Sequence, residues 1–282
     1  MPKNISSKIF IDGGSPQETR QAKVLLGFLD GQTTNPSLIA KNYTAKAGGT
    51  KLTETQALDE YKRVVRQMSG IIPEGSISIQ VFAQEETKAD EMLRQARARK
   101  TWIPNHSIKF PCTKEGLTAA EIACKEMPVN ITLVFSQSQA AAVYEATKGA
   151  KYPVFISPFV GRLDDRGENG MQVVENILEM YTSGDGHVEV LTASLRGVDH
   201  ILYALRLGSD IITCPFKVFK TWADGGFTIP DTSYVYPVGK LKPIPYKEDI
   251  TLGKPWQEYN ISHDLTTIGI AKFWEDWNSL LQ

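Results

Sequence analysis

Short apolar runs alternate with amphipathic stretches along most of this 282-residue chain, and that alternation leaves few architectures open. A short apolar run bounded by turn residues is the pattern of a strand buried on both faces, and apolar residues three and four apart are the pattern of a helix that covers it. The apolar runs fall at Lys8–Asp12, Gly27–Asp30, Ser76–Phe82, Ser107–Pro111, Asn130–Phe135, Val154–Pro158, Val188–Thr192 and Asp210–Thr213. Helical periodicity is clear over Glu54–Met68, Glu85–Arg99, Thr118–Lys125, Gln137–Thr147, Met171–Tyr181 and Gly197–Leu207. Eight strand–helix units predict an α/β protein, a closed (β/α)8 barrel of the TIM type, with its active site at the carboxyl ends of the strands. The rhythm stops after residue 224. Between Gly225 and Asn260 lie Pro230, Pro237, Pro243, Pro245 and Pro255 with little periodicity, and a last amphipathic pattern runs from Leu265 to Leu281. Residues 1–224 are therefore expected to form the barrel and 225–282 an extension ending in a helix. Phe273, Trp274, Trp277, Leu280 and Leu281 make that helix too apolar for free solvent, so it should pack on the barrel or on a neighbouring subunit of a homo-oligomer.

Composition narrows the function classes. With 31 basic and 32 acidic side chains and a pI near 6.5, the chain has no electrostatic footprint for nucleic acid. No run of about 18 apolar residues marks a membrane span, and the first residues carry no apolar leader, so no membrane partner and a cytoplasmic location are expected. Cys112, Cys124 and Cys214 have no metal-ligand or redox spacing and suit reduced thiols. No metal site is readable.

Lys109 sits in Asn105-His106-Ser107-Ile108-Lys109-Phe110-Pro111, inside a strand whose apolar neighbours mark it as buried. Burying an ammonium is costly unless it is paired or neutralised, so its pKa is pushed toward the free amine. A free amine in a cleft is a carbonyl nucleophile. Other polar residues recur at strand ends, where a barrel gathers them into one mouth: Asp12, Asn35, Gln80, Asn130, Thr132, Ser157, Arg162, Ser194 and Arg196. Singly, each has a bland role available: a helix cap for Asp12 or Ser194, a turn before proline for Asn35, a β-former for Thr132, a solvated partner of Asp164 and Asp165 for Arg162. Recurrence at successive strands argues for a shared site.

Longer motifs sharpen this. Thr33-Thr34-Asn35-Pro36-Ser37, Ile108-Lys109 followed by Thr113-x-Glu115-Gly116-Leu117, Asn130-Ile131-Thr132-Leu133-Val134-Phe135-Ser136 and Ile156-Ser157-Pro158-Phe159-Val160-Gly161-Arg162 stand in that order along the chain. From Asp12 to about Trp222 the sequence resembles the transaldolase superfamily, which also contains fructose-6-phosphate aldolases. The resemblance implies a Schiff-base enzyme that needs no cofactor and acts on sugar phosphates, in the manner of the pentose phosphate pathway. Lys109 would form an imine with the C2 ketone of a ketose phosphate, and Asp12 would take and return the C4 hydroxyl proton. Gln80 and Thr132 would hold the water that shuttles protons. Asn35, Asn130 and Ser157 would orient the dihydroxyacetone unit, with Phe159 beside them, and Arg162, Ser194 and Arg196 would hold the phosphate.

Two positions depart from the familiar transaldolase pattern or from its aldolase branch. Gln80 replaces a glutamate of familiar transaldolases and resembles the fructose-6-phosphate aldolase branch. Phe159 resembles transaldolases, where the aldolase branch has a tyrosine. The expected activity is transfer of dihydroxyacetone from fructose 6-phosphate or sedoheptulose 7-phosphate to an aldose phosphate. An aldolase that releases free dihydroxyacetone, a transaldolase for another anionic sugar, and a non-catalytic sugar-phosphate binder are the alternatives.

Overall fold

The computed structural model describes residues 5–48 and 50–282. Eight parallel strands close on themselves: β1 (Lys8–Asp12), β2 (Gly31–Thr33), β3 (Ser76–Gln80), β4 (His106–Pro111), β5 (Val129–Val134), β6 (Val154–Pro158), β7 (Val188–Thr192) and β8 (Ile211–Pro215), with β8 hydrogen-bonded back to β1. Between and after them run α1 (Pro16–Leu26), α2 (Pro36–Ala47), α3 (Glu54–Ile71), α4 (Ala89–Arg99), α5 (Lys114–Ala123), α6 (Gln137–Ala146), α7 (Val160–Asp164), α8 (Gly170–Tyr181), α9 (Val198–Leu207), α10 (Phe216–Asp224) and α11 (Asp264–Asn278). This is the (β/α)8 barrel expected from the alternation.

Capping residues convert strand into helix at the barrel's upper rim. Ser15, Asn35, Thr113 and Ser136 each accept a backbone N–H two or three residues into the following helix, and Pro16 and Pro36 pre-set the first turns of α1 and α2. Thr113 explains why α5 starts at Lys114, ahead of the Thr118 read from periodicity. Conversely, α4 starts only at Ala89, because Thr87 folds back to accept the Gln84 N–H.

The second strand lies elsewhere than the apolar run at Gly27–Asp30. Gly27 is the left-handed cap of α1, with φ 88°, and the strand is the polar Gly31-Gln32-Thr33. The side chains around it explain the mismatch. A Cβ at Gly31 would stand 2.4 Å from both Phe10 Cζ and the Ser76 carbonyl, and buried Gln32 is bonded to Thr19 and to the Gly13 carbonyl. This strand is dictated by close approach and hydrogen bonding, which hydropathy does not register.

The extension straps the barrel from outside. Its backbone is held by barrel side chains: Gln172 accepts from Ile244 N–H, Asn176 donates to the Ile244 carbonyl, Gln137 bonds both backbone groups of Lys247, and Gln139 donates to the Ile261 carbonyl. A segment bonded this way needs no periodicity of its own. Then α11 returns across the carboxyl ends of the strands, packing on α2 and β5 and burying Ile270, Phe273 and Trp277. Trp277 stacks on Phe82 at 4.1 Å between ring centroids. No helix among the described residues is long and apolar enough to cross a membrane.

Candidate active site

Contacts between strands that are not neighbours must cross the barrel interior, and they define its layers. At the floor, Phe10 of β1 meets Phe155 of β6 edge-on at 6.4 Å. Above it runs a hydrogen-bonded chain from β6 to β3. Ser157 Oγ donates to Asn130 Oδ1 at 2.7 Å, Asn130 Nδ2 to Ser78 Oγ at 3.0 Å, and Ser78 bonds Ser107 at 2.8 Å.

Lys109 lies on β4, only 2% exposed, and its Nζ donates to the Thr34 carbonyl at 3.3 Å. Burial pushes its pKa down from 10.5 to about 8, against the opposing pull of the Asp12 carboxylate and with a further push from Arg162. Asp12 closes β1, where Thr33 Oγ1 donates to its Oδ1 at 2.7 Å and is itself 2.8 Å from Thr213 Oγ1. Burial raises its pKa, while Lys109, the Thr33 hydroxyl and Arg196 oppose the rise. A carboxyl and an amine, both drawn toward neutrality, thus share one dry interior.

Gln80 and Thr132 are distinguished by what they lack. Both are buried, and neither Gln80 Oε1 nor Thr132 Oγ1 has a hydrogen-bond partner among the described residues. Buried polar groups are normally bonded, so two orphans beside a buried amine mark a place for a guest. A cavity of about 10 Å³, the size that admits one water molecule, is lined by Gln80, Pro111, Phe273 and Trp274 among others. Asn35 takes the bland role in part, since its Oδ1 caps α2 by accepting the Leu38 N–H, which leaves its amide hydrogens. A groove of about 480 Å³ between α3, α4 and α11 is roomier, but it holds none of the carbonyl-chemistry residues.

The cationic end lies on α7 and the loop after β7. Arg162 sits between the rings of Phe159 and Phe273, at 5.4 and 5.5 Å, and has no carboxylate partner among the described residues. Burial and the neighbouring charge of Arg196 lower its pKa. Asp165 pairs with Arg196 instead, at 2.7 Å, and Asp164 with His200. Arg196 Nη1 also donates to the Ser194 carbonyl and hydroxyl. The two loops approach this closely because of Gly161, where a Cβ would lie 2.1 Å from the Ser194 carbonyl. Two guanidiniums with one exposed carboxylate between them form a seat for an anion. The amides of the first turn of α9 are uncapped, since Gly197 offers no side chain.

Comparison with known proteins decides what this arrangement belongs to. The family model described as Transaldolase/Fructose-6-phosphate aldolase matches residues 9–282. The chain belongs to that family. A probable transaldolase of Dehalococcoides mccartyi is 32% identical over 97% of this chain and 99% of its own length. One of Thermoplasma volcanium is 36% identical over 83% of this chain and 99% of its own. One of Alkaliphilus metalliredigens is 33% identical over 98% and 100%. The match extends through the strap and α11, beyond the Asp12 to Trp222 span that the motifs reached. The names carried by the transaldolase/fructose-6-phosphate aldolase family and by these relatives indicate an enzyme of the transaldolase type.

Several residues that complete the site carry no signal in the sequence. Tyr61, on α3, donates or accepts at Thr34 Oγ1 at 2.6 Å and receives the Gln80 backbone N–H at 3.0 Å, so one hydroxyl pins both the strand end of Gln80 and the loop whose carbonyl holds Lys109. A tyrosine on the buried face of a helix looks like any other core residue. Thr33 and Thr213, which orient Asp12, are ordinary strand residues in sequence terms. Phe273 and Gly269 of α11 reach Arg162 from about a hundred residues away. Leu133, with φ 62°, is a non-glycine residue in left-handed backbone at a register shift beside Thr132, held where its carbonyl accepts from Thr266 Oγ1. Among the described residues no group of His, Cys, Asp and Glu side chains is arranged to hold a metal ion.

Proposed function

We propose that this family member is a transaldolase that moves a dihydroxyacetone unit from a ketose phosphate, fructose 6-phosphate or sedoheptulose 7-phosphate, to an aldose phosphate, as in the pentose phosphate pathway. The observation that carries the reading is the Lys109 amine, whose pKa falls to about 8 in a buried strand within the field of Asp12 and Arg162. About a tenth of the amine is then unprotonated at pH 7 and free to attack, far more than an ordinary lysine offers.

Lys109 Nζ adds to the C2 ketone, and loss of water leaves a protonated imine. Asp12 takes the C4 hydroxyl proton, the C3–C4 bond breaks, and its electron pair moves into the imine to give an enamine. The aldose phosphate leaves. When an acceptor aldehyde arrives, the enamine carbon attacks it and Asp12 returns the proton to the new hydroxyl. Hydrolysis then frees Lys109. Gln80 and Thr132 hold the water for these transfers through the two atoms that lack partners. Asn35 offers its amide, and the Asn130–Ser157 pair its remaining donor, to the hydroxyls of the three-carbon unit. The phosphate is seated by Arg162, Ser194 and Arg196, displacing the exposed Asp165 from Arg196, an exchange that costs little because solvent already screens that pair.

Transfer prevails over release because Phe159 has no hydroxyl with which to protonate the enamine. The alternative, an aldolase releasing dihydroxyacetone, is favoured by Gln80 alone. Borohydride reduction in the presence of fructose 6-phosphate, read by mass spectrometry, should leave a three-carbon adduct on Lys109. Glyceraldehyde 3-phosphate formation should require an aldose acceptor. Equal rates with and without acceptor would make this an aldolase.

A further inference from the structure

We propose that His200, clamped by Asp164 and Tyr236, is the positioning residue of the anion seat, and that the strap segment through Tyr236 thereby sets affinity for the phosphate of the donor; this rests on the transaldolase reading above. His200 is 4% exposed, and both of its ring nitrogens are engaged. Nδ1 accepts the Arg196 backbone N–H at 3.1 Å, so Nδ1 carries no proton. The ring proton is therefore on Nε2, which lies 2.8 Å from Asp164 Oδ2 and donates to it. Tyr236 hydroxyl donates to the same carboxylate oxygen at 2.6 Å, and its ring lies over the imidazole at 5.3 Å. The other oxygen of Asp164 accepts from the Gly170 N–H.

This cluster does not line the reacting cavity, yet it joins the two elements that carry the arginines. Asp164 lies two residues beyond Arg162 on α7, and His200 lies four residues beyond Arg196. The short path from Asp164 through the imidazole to the Arg196 N–H therefore fixes the distance between the two cationic arms. Such fixing is needed here, because Ser194 holds φ 65°, a conformation that persists only where the surroundings impose it. Gly161 adds that the two loops touch without slack. Tyr236 is the strap's contribution: it gives Asp164 Oδ2 a second donor and seals the imidazole from water.

The test separates this role from stability and from the reaction. Inorganic phosphate binding is measured by calorimetry on the full chain, alongside KM and kcat for fructose 6-phosphate and for free dihydroxyacetone as donor. Tyr236→Phe and His200→Gln should weaken phosphate binding and raise KM for fructose 6-phosphate by about tenfold, with kcat and the dihydroxyacetone constants unchanged. His200→Asn keeps an oxygen for the Arg196 N–H but has no group that reaches Asp164, so it should lose phosphate affinity as His200→Gln does. Wild-type affinity in His200→Asn, equal losses on both donors, or unchanged phosphate binding would overturn the proposal. Failure of the wild type to form the Lys109 adduct would overturn the transaldolase reading instead, and the phosphate measurement would still judge the clamp.

Discussion

Two polar layers fill the same barrel, a step apart along the strands, and they are built on opposite terms. In the lower one, Ser157, Asn130, Ser78 and Ser107 bond to one another across the interior. In the upper one, Gln80 and Thr132, each two residues further along β3 and β5 from Ser78 and Asn130, keep buried oxygens with no partner among the described residues. Desolvating a polar group is unfavourable unless a hydrogen bond replaces the water. The lower layer meets that requirement almost wholly within the protein, with one Asn130 amide hydrogen left over. The upper layer leaves it unmet, and with Lys109 and Asp12 beside it, the deficit marks the place we propose for the substrate.

The contrast breaks first at Lys109. Lys109→Met should abolish borohydride trapping and turnover, yet raise stability at neutral pH by up to about 3 kcal/mol, since a pKa lowered from 10.5 to about 8 records a buried charge that folding must accommodate. The sign follows from proton counting: the unfolded chain binds the extra proton between those values. The advantage of Met should therefore be full below about pH 8 and fade as pH rises toward 10.5, in urea titrations at several pH values. Imine formation in the wild type should accelerate with pH through about 8. A Met variant less stable than wild type at pH 7 would refute the burial argument.

Next come paired substitutions in the two layers. Asn130→Ala should cost about 2–4 kcal/mol of stability, because it strands the Ser157 hydroxyl, takes a donor from Ser78 and opens a cavity. Thr132→Val, close in shape, should leave the melting temperature unchanged or higher while turnover falls about 10²-fold, the scale of a lost proton-transfer aid. If both lose stability equally, the layers are not distinct.

A smaller effect is expected at Arg162. Arg162→Ala should cost about 1.5–3 kcal/mol in kcat/KM on fructose 6-phosphate and little on dihydroxyacetone. Uniform loss on both would make it structural. The mildest test is Phe159→Tyr, which should raise release of free dihydroxyacetone relative to transfer by a few-fold, by placing a proton donor near Gln80 and Thr132. An unchanged ratio would detach Phe159 from the partition.

The layers were unequally legible. Lys109 stands out in the sequence because Ile108 and Phe110 announce burial around a charge, and Asn130 and Thr132 because alternation on a buried strand puts both on one face. The second strand escaped, since Gly31, Gln32 and Thr33 are fixed by contact with Phe10 and by buried hydrogen bonds that leave no hydropathic trace. The strap was unreadable for a related reason: side chains of α6 and α8 satisfy its backbone, so its own sequence need not encode how. Nor can a sequence say which of two aspartates answers which arginine. Asp164 and Asp165 are adjacent, but one serves His200 and the other Arg196, while Arg162 stands without either.

Arg162 owes its posture to Phe273 and Gly269, and these belong to the last helix of the fold. During synthesis the barrel strands emerge first, so a nascent chain can close its sheet and bury Lys109 before α11 exists. Such a chain would have Lys109 in place while Arg162 still lacked one of its two flanking rings. The order of translation thus sets the buried amine before the finished seat of the arginine, which waits for α11.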